Sequence, residues 1–290
     1  MVLCDDICRF LAENGLGCKV GCIDGQEVIH VEGHAGIIPV NVRSTSAEEA
    51  EKTADRLRTI IMQITGQSGH YPLIITEDRW NSQQKMMHAR LLAHLQIFTQ
   101  IYARNCEIRK IDKKTAADFL AAHHSYGDAA CRYRYGLFLK RYTGHTSSLA
   151  IDRPQAGELV AVATFSNGRK WIKGDKTIRS YEWTRYASLP GVRLSGGMGK
   201  LLQAFIEEVQ PDDIMTYADL EWSEGKVYEQ LGFTLEGVKD PVMFVVDDKW
   251  RRFPIKSGMT GTTGESGMTG GRFMRNLGSN KYRLKLTDYQ

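Results

Sequence analysis

VRLSGGMGKLLQAFI, residues 192–206, is the stretch on which the reading of the fold turns. It follows SYEWTRYAS (180–188), a run with the aromatic content of a strand, and it continues as the helix KLLQAFIEEV. Gly196, Gly197 and Gly199 stand where that helix begins. A helix start without bulky side chains leaves backbone N–H groups open. Together with the positive end of the helix dipole they make a ready site for an anion, and a pyrophosphate suits it. An ordinary tight strand-to-helix turn uses the same glycines, so the turn alone leaves both readings open.

Working outward, the strand DIMTYAD ends on Asp219, a polar turn follows, and a short helix carries Tyr228 to Gly232-Phe233. Upstream come the strand of IYARNCEIRKID, the helix KKTAADFLAAHH, and the strands of YRYGLFLKRY and ELVAVATFS; MFVVDD reads as the final strand. Mixed strands with helices on their faces give an α+β layer over residues 105–255. Residues 1–104 read as a smaller α/β domain, in which Ala50, Ala54, Leu57, Ile60, Ile61 and Ile64 recur at helical spacing. Residues 256–271, with SGMTG twice, have the Gly, Ser and Thr content of a flexible loop, and 272–290 read as a basic strand or tail that docks back on the sheet.

The bulk properties agree with two folded domains. The chain has 290 residues, 42% hydrophobic and 25% charged, and no apolar run long enough for a bilayer. No membrane association is expected. MVLCDDICRF places aspartates where a signal peptide needs basic residues, so the expected location is cytoplasmic. Cys4, Cys8, Cys18 and Cys22 form C-x3-C-x9-C-x3-C, which invites a zinc reading; zinc motifs prefer C-x2-C with a longer spacer, so reduced core thiols and no metal are expected. The net charge is only +4, yet Lys249, Arg251, Arg252, Lys256, Arg272, Arg275, Lys281, Arg283 and Lys285 crowd the C-terminal region. That density is an electrostatic footprint suited to nucleic acid, DNA included.

The order of strand, glycine turn, helix, strand ending in Asp219, and helix bearing Y-x-x-x-G-F resembles the second half of the GNAT N-acyltransferase fold. A GNAT-like mixed sheet flanked by helices is the implied architecture. In that family the glycine loop holds the pyrophosphate of an acyl-CoA, and splayed strands admit the pantetheine arm. The resemblance covers about residues 106–250. It implies acetyl-CoA or another acyl-CoA as cofactor, held by Leu194, Gly196, Gly197, Met198, Gly199, Lys200 and Ser223. Leu194 stands where the family usually has Gln or Arg, and Arg193 is one residue early.

A narrower resemblance is to the GNAT-like domain of phage and mobile-element proteins of the Mom type, which modify adenine in DNA with an acyl-derived group. HHSYG, YGLFL, ELVAVATFSNGR, YEWTRYAS, GGMGKLL and YADLEWSEGKVYEQLGF occur here in the matching order. His124 and Gly127 match an N-H-L-Q-G motif, Tyr181-Glu182-Trp183-Thr184-Arg185 matches Tyr-Glu-Leu-x-Arg, and Ala218 to Ser223 match Ala-Asp-x-x-Trp-Ser. For an amine attacking an activated acyl group, His124 or ionised Asp219 is the candidate base. Tyr228 is the candidate acid for the thiolate, as in other GNAT enzymes. Glu182, Arg185 and Tyr126 are candidates for orienting substrate. Each of these side chains also has a structural reading, as core aromatic, turn cap or ion pair.

YPLIITEDRWNSQQKMMHARLLAHL is similar to the end of a PD-(D/E)xK-type endonuclease domain, but Pro39 and His30 fall where its acids belong, which implies a degenerate nuclease fold. The function implied is acyl-CoA-dependent N-acyl transfer of Mom-like type on nucleic acid. Its competitor is a non-catalytic DNA-binding protein made of two degenerate enzyme folds.

Overall fold

The computed structural model describes residues 3–142, 153–255 and 271–289. The expected loop at 256–271 lies outside the described residues except for Gly271. In chain order the elements are α1 (Leu3–Glu13), β1 (Lys19–Ile23), β2 (Gln26–His30), β3 (Ile37–Val40), α2 (Ala47–Ser68), β4 (Leu73–Thr76), α3 (Glu77–Ser82) and α4 (Gln84–His94). Next come β5 (Thr99–Tyr102), β6 (Cys106–Lys110), α5 (Lys113–His123), β7 (Tyr133–Leu139), β8 (Leu159–Phe165), β9 (Arg169–Lys173), β10 (Lys176–Ser188) and β11 (Val192–Ser195). Last are α6 (Gly197–Val209), β12 (Asp213–Asp219), α7 (Lys226–Gln230), β13 (Thr234–Lys239), β14 (Met243–Val246), β15 (Arg252–Pro254), β16 (Arg272–Arg275) and β17 (Ser279–Lys285).

The chain forms two compact units that are not simple halves. The first comprises Met1–Met87, Ala218–Gly225 and Val238–Asn280; the second comprises His88–Tyr217, Lys226–Gly237 and Lys281–Gln290. This moves the boundary expected at 104. The pairing of β5 with β11 draws residues beyond Met87 into the second unit. The pairing of β16 with β14, and the Ser44–Phe273 bridge, draw residues expected in the acyltransferase domain and tail into the first.

In the first unit β1 to β4 lie side by side in sequence order, β1 antiparallel to β2 and β3 parallel to β4. Helix α2 crosses between the parallel pair and packs Leu57, Ile60, Ile61 and Ile64 against Val28, Ile38, Val40 and Ile74. Its start is set by Ser46, whose side chain accepts from the Glu49 N–H, while the Glu49 carboxylate accepts from the Thr45 N–H. Gly69, at φ 70°, ends it. The strand read at MFVVDD is β14, the centre of a separate three-stranded sheet between β15 and β16. Pro39 lies in β3 opposite Ile75, and His30 ends β2 exposed. Burial pushes the Cys4 thiol up to about 11, and burial with Cys18 alongside pushes Cys8 up to about 12, so both stay protonated thiols near neutral pH. Among the described residues no three His, Cys, Asp or Glu side chains are placed to share a metal ion.

The second unit is built on a sheet in the order β13-β17-β12-β10-β8-β7-β6, with β9 added to β10. Neighbours are antiparallel from β6 to β10, and β10 is parallel to β12, so the sheet is mixed. Counted from β6, the order is sequential except that the last two strands exchange places. Strands and helices together make the fold class α+β, as expected. KYRLKL, within the stretch read as a basic strand or tail docking back on the sheet, is β17 and sits between β13 and β12. Its core is aromatic: Phe165 and Phe205 stack at 3.9 Å, with Trp183 stacked on Phe165 at 5.4 Å. No helix among the described residues is long and apolar enough to cross a membrane.

Candidate active site

Strands β10 and β12 are paired only from Ser180–Asp213 to Glu182–Met215. β10 runs on to Ser188, so its second half is free of β12 on that side and is held by β8 alone. The Thr216 hydroxyl still donates to the Trp183 carbonyl at 3.1 Å, which marks the point of parting. Below it, the chain turns through β11 into α6. Gly196 caps that helix at φ 76°, a left-handed conformation that only glycine adopts without strain. The first helical bond is Lys200 N–H to Gly196 carbonyl, and no side chain caps the end. The N–H groups of Gly197, Met198 and Gly199 therefore have no partner within the helix.

Those residues line a cavity of about 470 Å³, whose walls include Tyr186 and Ser188 of β10, Arg193 and Leu194 of β11, and Val227, Gln230 and Leu231 of and after α7. The volume is that of a small-molecule pocket. Arg193 supplies a cation, its guanidinium lying over Phe98 at 5.3 Å. Leu194 turns toward Gly197: a Cβ on that glycine would lie 2.5 Å from the Leu194 Cγ and Cδ2. The glycine thus makes room for the leucine. Lys200 points elsewhere and donates to the Ala103 and Cys106 carbonyls at 2.9 and 2.7 Å.

Tyr228 stands on α7, next to Val227 in the cavity wall. Its ring is enclosed by Trp183 at 6.1 Å, Phe233 at 5.7 Å and Tyr282 at 5.5 Å. Burial raises its pKa, with the Thr216 hydroxyl pulling weakly the other way. Burial likewise raises the Tyr186 pKa, with Cys106 and Tyr228 adding to it. Its hydroxyl would lie 3.2 Å from a Cβ on Gly197, so this phenol stands at the glycine turn. Sequence periodicity gave no sign of it, because Tyr186 has the pattern of any strand residue.

A second group gathers at the end of α5. His124 caps the helix, and its Nδ1 accepts from the Tyr126 N–H at 3.1 Å. An imidazole that accepts at Nδ1 can carry a proton only on Nε2. Arg185 donates to the Gly127 carbonyl at 3.1 Å, and burial lowers its pKa while Glu182 and Asp128 support its charge. Asp128 Oδ1 is buried with no hydrogen-bond partner among the described residues. Glu182 pairs through its backbone with Ser166, its N–H donating to the Ser166 hydroxyl at 2.9 Å.

Asp219 and Ser223 belong to the first unit. Asp219 is engaged on both oxygens, by Arg79 at 3.3 Å and by the Glu221 N–H at 2.9 Å, and its carbonyl accepts from the Trp222 and Ser223 N–H groups. Asp78, Arg79, Glu221 and Arg252 form a buried charged cluster there: Arg252 reaches Asp78 at 2.5 Å, Glu221 at 2.8 Å and the Thr76 hydroxyl at 3.0 Å, and Arg79 reaches Glu221 at 3.2 Å.

No protein-family model and no curated protein matches the chain. Among solved structures it is similar to Eis1 from Mycobacterium abscessus, at 15% identity and a TM-score of 0.34, over 48% of this chain and 33% of that one. The chain thus spans about a third of that protein's length. So distant a likeness leaves the site to be read from its own geometry.

Proposed function

We propose that the second unit binds an acyl-CoA and transfers its acyl group to an amine, in the manner of Mom-like N-acyltransferases acting on nucleic acid. The observation that carries the reading is the cavity beside the second half of β10, which β12 leaves unpaired, lined by Gly197, Met198 and Gly199 with their N–H groups open. Those donors, the helix dipole and the Arg193 cation suit a pyrophosphate, and the unpaired side of β10 suits an extended amide arm. The bound donor supplies a thioester carbonyl open to attack. The chain's part is to hold it, exclude water with Val227 and Leu231, and offer the Tyr228 phenol as proton donor to the departing sulfur. Burial keeps that phenol protonated at neutral pH. His124 and Arg185 would orient the acceptor, with an adenine amine of DNA as the acceptor class that the sequence resemblance implies.

A second reading, a non-catalytic DNA-binding protein, is favoured by Leu194 lying over Gly197 and by Lys200 being engaged with carbonyls. Calorimetric titration with acetyl-CoA and with CoA separates the two. Saturable binding is expected, and Gly199→Val should abolish it, since a Cβ there already meets Leu231 at 3.3 Å and the larger side chain would close the cavity. No heat with either ligand would remove the acyltransferase reading.

A further inference from the structure

The basic residues that crowd the C-terminal region are largely spent inside the protein. Arg283 pairs with Glu236 at 2.7 Å and Asp213 at 2.9 Å, Lys281 with Glu236 at 2.7 Å, Arg251 with Asp247 at 2.7 Å, and Arg252 is buried between carboxylates. A compact group of exposed cations lies elsewhere, on the hairpin of β9 and the first half of β10. All five residues of β9, Arg169, Lys170, Trp171, Ile172 and Lys173, are exposed. A two-residue turn, Gly174-Asp175, with Gly174 at φ 59°, joins them to Lys176. β12 joins β10 only from Ser180 onward, so the hairpin stands as a two-stranded ribbon.

Three features of this ribbon are costly for a surface with no ligand. Lys173 lies directly opposite Lys176, and Lys170 opposite Arg179, and like charges in facing positions repel. Arg179 is relieved by Asp212 at 3.8 Å and Lys176 by the Asp288 carbonyl at 2.7 Å, but Arg169, Lys170 and Lys173 have no ion pair among the described residues. Trp171 and Ile172 remain 51% and 81% exposed between these cations. Strand alternation puts Arg169, Trp171 and Lys173 on one face, successive members roughly 7 Å apart. A flat aromatic ring flanked by cations at that spacing matches an unpaired base between two phosphates.

We infer that the β9–β10 ribbon is a docking surface for single-stranded nucleic acid, with phosphates on Arg169, Lys173 and Lys176, which share a face with Trp171, and a base stacked on Trp171. The inference is independent of acyl-CoA binding at the cavity, and its test uses a different ligand. Fluorescence anisotropy of the full chain with an end-labelled single-stranded DNA 15-mer, across a salt series, is the experiment. The variant Arg169→Gln/Lys173→Gln/Lys176→Gln should weaken binding at least tenfold and lower the slope of log affinity against log salt by about 2, the value for three lost phosphate contacts. Trp171→Ala should weaken it about tenfold and leave the salt slope unchanged. The matched duplex should bind less tightly, since its bases cannot leave the stack. Because facing lysines repel, Lys173→Gln alone should weaken binding while leaving the melting temperature equal to or above that of the wild type. Binding within twofold of wild type in the triple variant, no effect of Trp171→Ala, or equal affinity for the duplex would each overturn the inference.

Discussion

A phenol serves as an acid only while it keeps its proton, and enclosure by Trp183, Phe233 and Tyr282 lifts the Tyr228 pKa above its ordinary value. The sign is therefore fixed: transfer that depends on Tyr228 should persist through neutral and mildly alkaline pH, its alkaline limb lying above the usual phenol range of about 10. Tyr228→Phe should lower kcat by about a hundredfold or more and remove that limb, with the melting curve nearly unchanged because the ring remains. An unaltered rate in a pH series would strip Tyr228 of the role. At this scale the glycines were legible in the sequence, since Gly196 needs its positive φ and Gly197 its bare Cα. Tyr186 and Asp128 were not. Their significance comes from what tertiary packing leaves beside them, a cavity for one and an unanswered carboxylate oxygen for the other, and neither leaves a periodic trace.

Among the elements, β17 shows how a basic strand reached an interior position. Between β13 and β12 it meets Glu236 and Asp213, and its Arg283 is held to both. The bond from Arg283, with Lys281 helping, holds the Glu236 carboxyl down at about 2. A depressed carboxylate contributes stability that is present above its unfolded pKa and lost as pH falls through the folded one. Melting temperatures of wild type and Glu236→Gln should therefore differ above about pH 4.5 and converge as pH falls toward about 2. An unchanging gap would mean that this pair does not link pH to stability. The alternation of KYRLKL was legible as a strand, but its place was not, because the partners that neutralise it lie far back in the chain. MFVVDD, by its apolar content, reads as the closing strand of the main sheet, yet it centres the small one. Pattern specifies that a strand forms; pairing is decided by which edge is open.

For the whole molecule, the boundary was the least legible feature. A cut at 104 follows the order of the sequence, whereas each unit gathers three separate segments. Arg252 illustrates what holds the first together, since its guanidinium joins Asp78 and Glu221, both nearly inaccessible to water, from distant parts of the chain. Burial alone would raise the Asp78 pKa, but Arg252 overrides it and the net shift is downward. Arg252→Met would leave Asp78 without its paired cation and Glu221 with Arg79 alone, and a loss of about 3–5 kcal/mol is expected in chemical denaturation. A loss below 1 kcal/mol would show that water reaches the cluster.

The exchange of β13 and β17 in the sheet also has a consequence for synthesis. The strand that completes the interior is made after every other described strand of its sheet, roughly sixty residues after β12. For on the order of ten seconds of translation, the edge of β12 that β17 will occupy has no partner. A nascent chain must keep that edge from other strands, its own or a neighbour's, until residues 279–285 arrive to close it.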